Sequence, residues 1–281
     1  MLRFIRADLE TNLNNSRANG IRCWQIDAFA DRCFSGNPAA VFWLEEAAET
    51  HWMQSVAAEM NLSETAFVSQ SDNGLELRWF TPTMEVDLCG HATLAAARAI
   101  WSEDLFPADQ ALHFQTRSGR LTCRSTGDII ELEFPATPAV EIAITDQLVD
   151  ALGSVPTFVG QSRFYQLAVV ESAELVRRIA PNFGKIAKLP TLGLIVTAQS
   201  DDARYDFISR FFAPAMGVNE DPVCGSAHCC LAPYWGEKLG KTSLTAYQAS
   251  TRGGVLHLRR EGDRVVLGGR TAIVWAGKSF C

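Results

Sequence analysis

Residues 78–92 read RWFTPTMEVDLCGHA, and residues 210–227 read RFFAPAMGVNEDPVCGSA. Each copy opens on Arg and an aromatic pair and carries Pro, Met and Val at the same steps. Each closes on Cys-Gly-x-Ala, and the second holds extra residues just before its cysteine. The copies lie more than a hundred residues apart, too far for stacked repeats, whose periods run roughly 20–50 residues. The duplication predicts two related halves that face each other, each presenting a Cys-Gly turn to a shared cleft.

The segments just after the two turns share one character. From Gly90 the chain reads GHATLAAARAIW, with no polar face until Arg98. From Gly225 it reads GSAHCCLAPYWGEKLG, again small and apolar, ending at Gly240. Helices of this kind are buried nearly all round, and Pro233 predicts a kink or a break in the second. The flanking segments alternate as strands do: Arg22–Ala30, the run after the Gly-Asn-Pro turn at 36–38, Thr65–Val68, 77–80, a hairpin about Ser118-Gly119, and the Gly-punctuated end from Arg252. A helix is predicted within Glu45–Met60, stopped by Asn61, which places Ser63-Glu64 on the turn into the next strand. Further helices are expected near Thr145–Leu152 and from Ala173. The fold class is α+β, with each half a rolled sheet around one buried helix. Prolines at 135 and 138 mark the crossover, giving halves 21–135 and 136–281, with the last strand free to return to the first half. Residues 1–20 read as a polar, disordered lead-in.

The composition narrows the function. With 47% hydrophobic and 20% charged residues among 281, the chain is of ordinary globular type. A net charge of −7 without a basic cluster argues against nucleic acid and anionic membranes as partners. No apolar run approaches the roughly 20 residues of a membrane helix, and no secretory signal is legible at the N-terminus. The eight cysteines are therefore read as reduced thiols of a cytoplasmic protein. None shows zinc-site spacing, so no metal is expected.

Each Cys-Gly turn stands where a strand meets a helix N-terminus, whose first N–H groups lack internal partners and carry partial positive charge. Glycine admits a ligand close to the backbone. Gly90 and Gly225, converging on one cleft, make a carboxylate cradle; alternatively they only allow tight packing. Cys89 and Cys224 hold equivalent places, and a thiol beside a helix N-terminus has a lowered pKa. They form either an opposed pair of bases or two small buried hydrophobes. Asp221, Glu220, Ser226, His91 and His228 gather on the same turns as candidates for proton transfer and orientation. Asp221 and Asp87 also suit helix capping, and His228 suits a core hydrogen bond. Arg78 and Arg210 fit a structural ion pair better than a ligand contact.

On QIDAFADRCFSGNPAAV, NLSETAFV, FTPTMEVDLCGHATLAAA, FFAPAMGVNEDPVCGSAH and the terminal RGG…GGRTAIV, the chain resembles the PhzF-like isomerase family of phenazine biosynthesis. That family is a branch of the diaminopimelate epimerase fold. The resemblance spans nearly everything from residue 22. It implies two pseudo-symmetric halves, a cleft site, a homodimer, and neither metal nor organic cofactor. Carried over by position, the family's acid/base Glu falls on Glu64, and its partners fall on His91, Asp221 and Ser226. Related racemases carry a Cys at both turns, as this chain does at Cys89 and Cys224, but continue Cys-Gly-Asn-Gly or Cys-Gly-Thr-Gly. The implied activity is proton-shift isomerisation of a small carboxylic acid. A two-cysteine amino-acid racemase or epimerase stands as the alternative, as does a non-catalytic small-molecule-binding or interaction protein.

Overall fold

The computed structural model describes residues 20–71 and 74–280; apart from Gly20, the expectation for the first twenty residues lies outside them. In chain order the first half holds β1 (Ile21–Ala28), β2 (Asn37–Leu44), α1 (Thr50–Met60), β3 (Glu64–Ser71), β4 (Gly74–Phe80), β5 (Glu85–Val86), α2 (Gly90–Ser102), β6 (Leu112–Thr116), β7 (Gly119–Thr126) and β8 (Ile129–Pro135). The second holds β9 (Val140–Glu141), α3 (Asp146–Leu152), β10 (Phe158–Gln161), β11 (Tyr165–Val169), α4 (Ala173–Arg178), α5 (Phe183–Ile186), β12 (Gly193–Gln199) and β13 (Phe207–Phe212). A 3-10 turn (Pro214–Met216), α6 (Gly225–Leu239), β14 (Ser243–Gln248), β15 (Gly254–Glu261) and β16 (Arg264–Gly269) follow, and β17 (Thr271–Ser279) returns to the first half beside β1. The strands form one hydrogen-bonded sheet, in which β17 pairs with β1 and β16 with β8, both antiparallel.

The two long apolar helices are the axles of the halves. α2 packs against β1, β2, β3 and β8; α6 packs against β14, β15 and β16; and the helices touch each other. Every residue of α2 from His91 to Trp101 is buried except Arg98. A helix enclosed by sheet must present small side chains to approach it closely, which is why alanine fills this one.

The duplication extends to strand register. Phe80 and Phe212 stand at the same step of the repeat; the first lies opposite Thr65 and the second opposite Leu194. Glu64 therefore corresponds to Gly193. Through the parallel pairs β2–β3 and β11–β12, Ala39 opposite Glu64 corresponds to Tyr165 opposite Gly193. The repeat arginines correspond as well. Arg78 forks onto Glu85 at 2.7 and 2.8 Å, and Arg210 onto Glu220 at 2.7 and 2.9 Å. Both are structural ion pairs, as their places in the repeat suggested.

Three local expectations need adjusting. α1 starts at Thr50 rather than near Glu45, and Asn61 ends it in the left-handed conformation (φ 48°) as expected. Glu64 opens β3 instead of lying on the turn before it. α6 runs unbroken through Pro233. A proline there cannot donate to the carbonyl four residues earlier. That carbonyl, on Cys229, accepts the backbone N–H of Thr137 at 3.0 Å instead. The helix loses one internal bond, and the crossover between the halves supplies its replacement. Ala136 beside it donates to Asp263 O at 2.8 Å.

Candidate active site

The site forms where β2, β3 and the two helix N-termini meet. The left-handed Asn61 turns the chain so that Glu64 enters β3 beside β2. Asn37, at the head of β2, is fixed by the loop before it. In that loop the fully buried Asp27 accepts Phe34 N–H at 2.6 Å and Arg252 Nη2 at 2.8 Å. Arg252 also donates to the carbonyls of Gly36 (2.8 Å) and Ser35 (3.1 Å). A residue from the second half thus clamps the turn that aims Asn37. Phe34 is held there at φ 69°, a conformation that bulky side chains rarely adopt.

Asn37 is the hub. Its side-chain amide faces Asp221 Oδ1 at 2.8 Å, Val223 O at 3.0 Å and His91 Nδ1 at 3.2 Å. Cys89 Sγ lies 3.6 Å from the same ring nitrogen. Asn37 Nδ2 is a donor, so Nδ1 acts as acceptor and the ring proton sits on Nε2, while the Cys89 thiol is also hydrogen-bonded to Glu64. Nε2 faces Glu64 Oε2 at 3.2 Å. That contact is short without the alignment of a hydrogen bond, and no other side chain or backbone group satisfies the buried N–H among the described residues. On the other helix, Ser226 Oγ lies 2.8 Å from Tyr165 OH and 3.3 Å from Cys224 Sγ. Gln248 ties the second turn together, accepting Cys224 N–H at 2.9 Å and donating to Asp221 O at 2.7 Å.

Burial sets the protonation states. Glu64 is raised from 4.5 to about 8, first by desolvation and then by the negative charge of Asp221. Asp221 is raised to about 6 by desolvation, against hydrogen bonds from Asn37 and Cys224. His91 is lowered to about 3 by desolvation and is a neutral imidazole. At neutral pH, therefore, a protonated Glu64 stands beside an ionised Asp221 and an uncharged His91.

The thiols correct an expectation. Desolvation and the charge of Glu64 push Cys89 up, and desolvation and the charge of Asp221 push Cys224 up, even though Ala92 N–H and Ala227 N–H favour the thiolates. The helix dipole and its amides are outweighed by loss of water at residues only 7 and 8% exposed. All seven cysteines within the described residues are reduced.

Glu64, His91, Asp221, Cys89 and Gly90 are brought together with Cys224, Gly225 and Ser226, which lie on the facing turn. Cys89 and Cys224 are the helix N-caps, and neither side chain caps its helix; Asp221 and Asp87 therefore do not serve as caps. Glu220 is taken up by Arg210 and stays out of the cluster. His228 is a core residue: Nδ1 lies 2.8 Å from Cys224 O, and its ring stacks on Phe207. Sequence reasoning missed Asn37, Gln248 and Tyr165. Asn37 was inside the Gly-Asn-Pro turn and could have been noticed as a buried polar residue; the other two carry no motif. Glu64, Cys89 and His91 offer donor atoms within 4.8 Å of one another. The thiol lies nearest Nδ1 and the carboxylate nearest Nε2.

A protein-family model described as phenazine biosynthesis-like protein (PhzC-PhzF) matches residues 26–277. An uncharacterized isomerase of Halalkalibacterium halodurans is 51% identical, across 89% of this chain and 94% of the relative. A crystal structure of a PhzF-family protein from Enterococcus faecalis superposes with a TM-score of 0.90 at 41% identity, covering 93% of this chain and all of that one. A hydroxyproline epimerase from Agrobacterium vitis, at 9% identity and a TM-score of 0.59 over 92% of this chain and 91% of its own, shares the fold alone. The chain belongs to the phenazine biosynthesis-like, PhzC-PhzF family, whose model spans most of it.

Proposed function

We propose that this protein is a cofactor-independent isomerase that moves a proton on a small carboxylic acid bound between the two Cys-Gly turns, with Glu64 as the single acid/base. The observation that carries this reading is the environment of Glu64: a carboxyl raised to about 8, beside a neutral His91 and facing an ionised Asp221. A group that must take a proton from one carbon and return it to another works best with its pKa near the operating pH, where both forms are accessible within a turnover. His91 presents its Nε2–H 3.2 Å from the carboxyl. Asn37 and Asp221 hold His91 in that tautomer, and Ser226 with the N–H groups opening α2 and α6 receives the substrate's carboxylate.

The two-thiol alternative asks each cysteine to act as a base in turn. Both are protonated and desolvated, and Glu64 has no part in such a scheme. The equivalent positions of Cys89 and Cys224 in the repeat are what keep it worth testing. Deuterium wash-in followed by proton NMR, on cyclic dienoic acids and on amino acids, separates the two. Exchange on a dienoic acid that vanishes in Glu64→Gln supports the carboxylate reading. Exchange at an amino-acid α-carbon that survives Glu64→Gln refutes it.

A further inference from the structure

The register equivalence makes the cleft symmetric in frame and unlike in chemistry. At the place of Glu64 the second half has Gly193, and at the place of His91 it has Ser226. No carboxyl fits at residue 193, because a Cβ there would stand 2.5 Å from Phe211 Cζ. The spot is filled by the ring of Phe211; on the neighbouring strand stands Tyr165, the counterpart of Ala39. Its ring packs edge-on to Phe211 at 4.8 Å, and its hydroxyl reaches Ser226 Oγ at 2.8 Å. The short contact Glu64–His91 of the first half is answered by Tyr165–Ser226 in the second.

We propose that Tyr165 is a positioning residue of this site, donating to Ser226 and so aiming the Ser226 hydroxyl proton at a carboxylate oxygen of the ligand, opposite Glu64. This rests on the carboxylate-binding part of the function proposed above. A phenol is a stronger donor than an aliphatic hydroxyl, and burial keeps Tyr165 protonated. Once Tyr165 occupies one lone pair of Ser226, the serine proton is left for another acceptor. Its other neighbour, Cys224 Sγ at 3.3 Å, is a weak one. Ser226 itself is exposed on the first turn of α6, beside N–H groups that also favour an anion.

The test is calorimetric binding of benzoate and of a cyclohexadiene carboxylate to wild type, Tyr165→Phe, Ser226→Ala and the double variant, with Glu64→Gln alongside. Tyr165→Phe keeps the ring and its packing. Each single change is expected to raise Kd about tenfold, as for loss of a hydrogen bond to a charged group. The double variant is expected to bind no more weakly than Ser226→Ala alone, because Tyr165 acts through the serine. Unchanged binding in Tyr165→Phe, or losses that multiply in the double variant, overturns the proposal, since a merely structural tyrosine would show the latter. Wild type that binds neither acid overturns it as well. Tyrosine-dependent binding without wash-in by wild type would remove the reaction reading and leave this one standing. Wash-in that depends on Glu64 while binding ignores Tyr165 would do the reverse.

Discussion

Glu64→Gln should change how stability depends on pH, before any substrate is added. In the native protein Glu64 holds its proton up to about pH 8, whereas the ordinary value is 4.5. Between those limits the unfolded chain has released the proton and the folded one has kept it, so the native state loses stability as pH rises through the window. The stability is fully present below 4.5 and is lost by about 8. Each pH unit is worth about 1.4 kcal/mol, so the whole window amounts to at most roughly 5 kcal/mol. The side chain is 21% exposed, and water reaching it reduces the figure to about 2–4 kcal/mol. Glutamine has nearly the same shape and does not titrate, so the variant should gain on wild type steadily from pH 5 to pH 8 and then level off. Asp221 titrates in both proteins and cancels to first order. Urea unfolding monitored by tryptophan fluorescence across this range gives the two curves directly. If they run parallel to within about 0.5 kcal/mol, the carboxyl titrates as an ordinary solvated glutamate, and the basis for its acid/base role is gone.

The same geometry sets two other outcomes. Cys89→Ser and Cys224→Ser should each keep wash-in activity within about tenfold of wild type, and iodoacetamide should label the pair slowly at neutral pH; rapid stoichiometric alkylation with loss of activity would transfer the chemistry to the thiols. Gly193→Ala should lower unfolding free energy by about 1–3 kcal/mol, because its Cβ displaces the Phe211 ring; a neutral substitution in urea titration would mean that the second half had room for a side chain where the first carries Glu64.

The halves and their axles were legible because the duplicated segment encodes one geometry twice. A strand ending in an Arg–aromatic pair, a tight Cys-Gly turn and an apolar helix can be recognised from residue order alone. The association of Glu64 with His91 and Asp221 came from resemblance, since a glutamate at a strand head has no distinguishing pattern. Contacts across the sheet, by contrast, leave no mark in residue order. Asn37 joins His91 to Asp221 only after Arg252, from the far end of the chain, has closed the loop before it. Tyr165 meets Ser226 only through the register of β11 on β12. The thiols show the same limit. Their place at helix N-termini is visible in sequence and argues for a lowered pKa, but the depth of burial that reverses the shift is not.

The bond from Thr137 to the carbonyl released by Pro233 bears on how firmly the two halves are joined. Enzymes with a site between two lobes often open by bending the strap that joins them. Here the strap is fastened: Ala136 and Thr137 both donate to the second half, and β8 before them is laced to β16. Swivelling at this joint would strand a carbonyl of a buried helix without a donor, at a cost of about 1–3 kcal/mol. Bending at this joint therefore carries a penalty that bending of an unfastened strap would not.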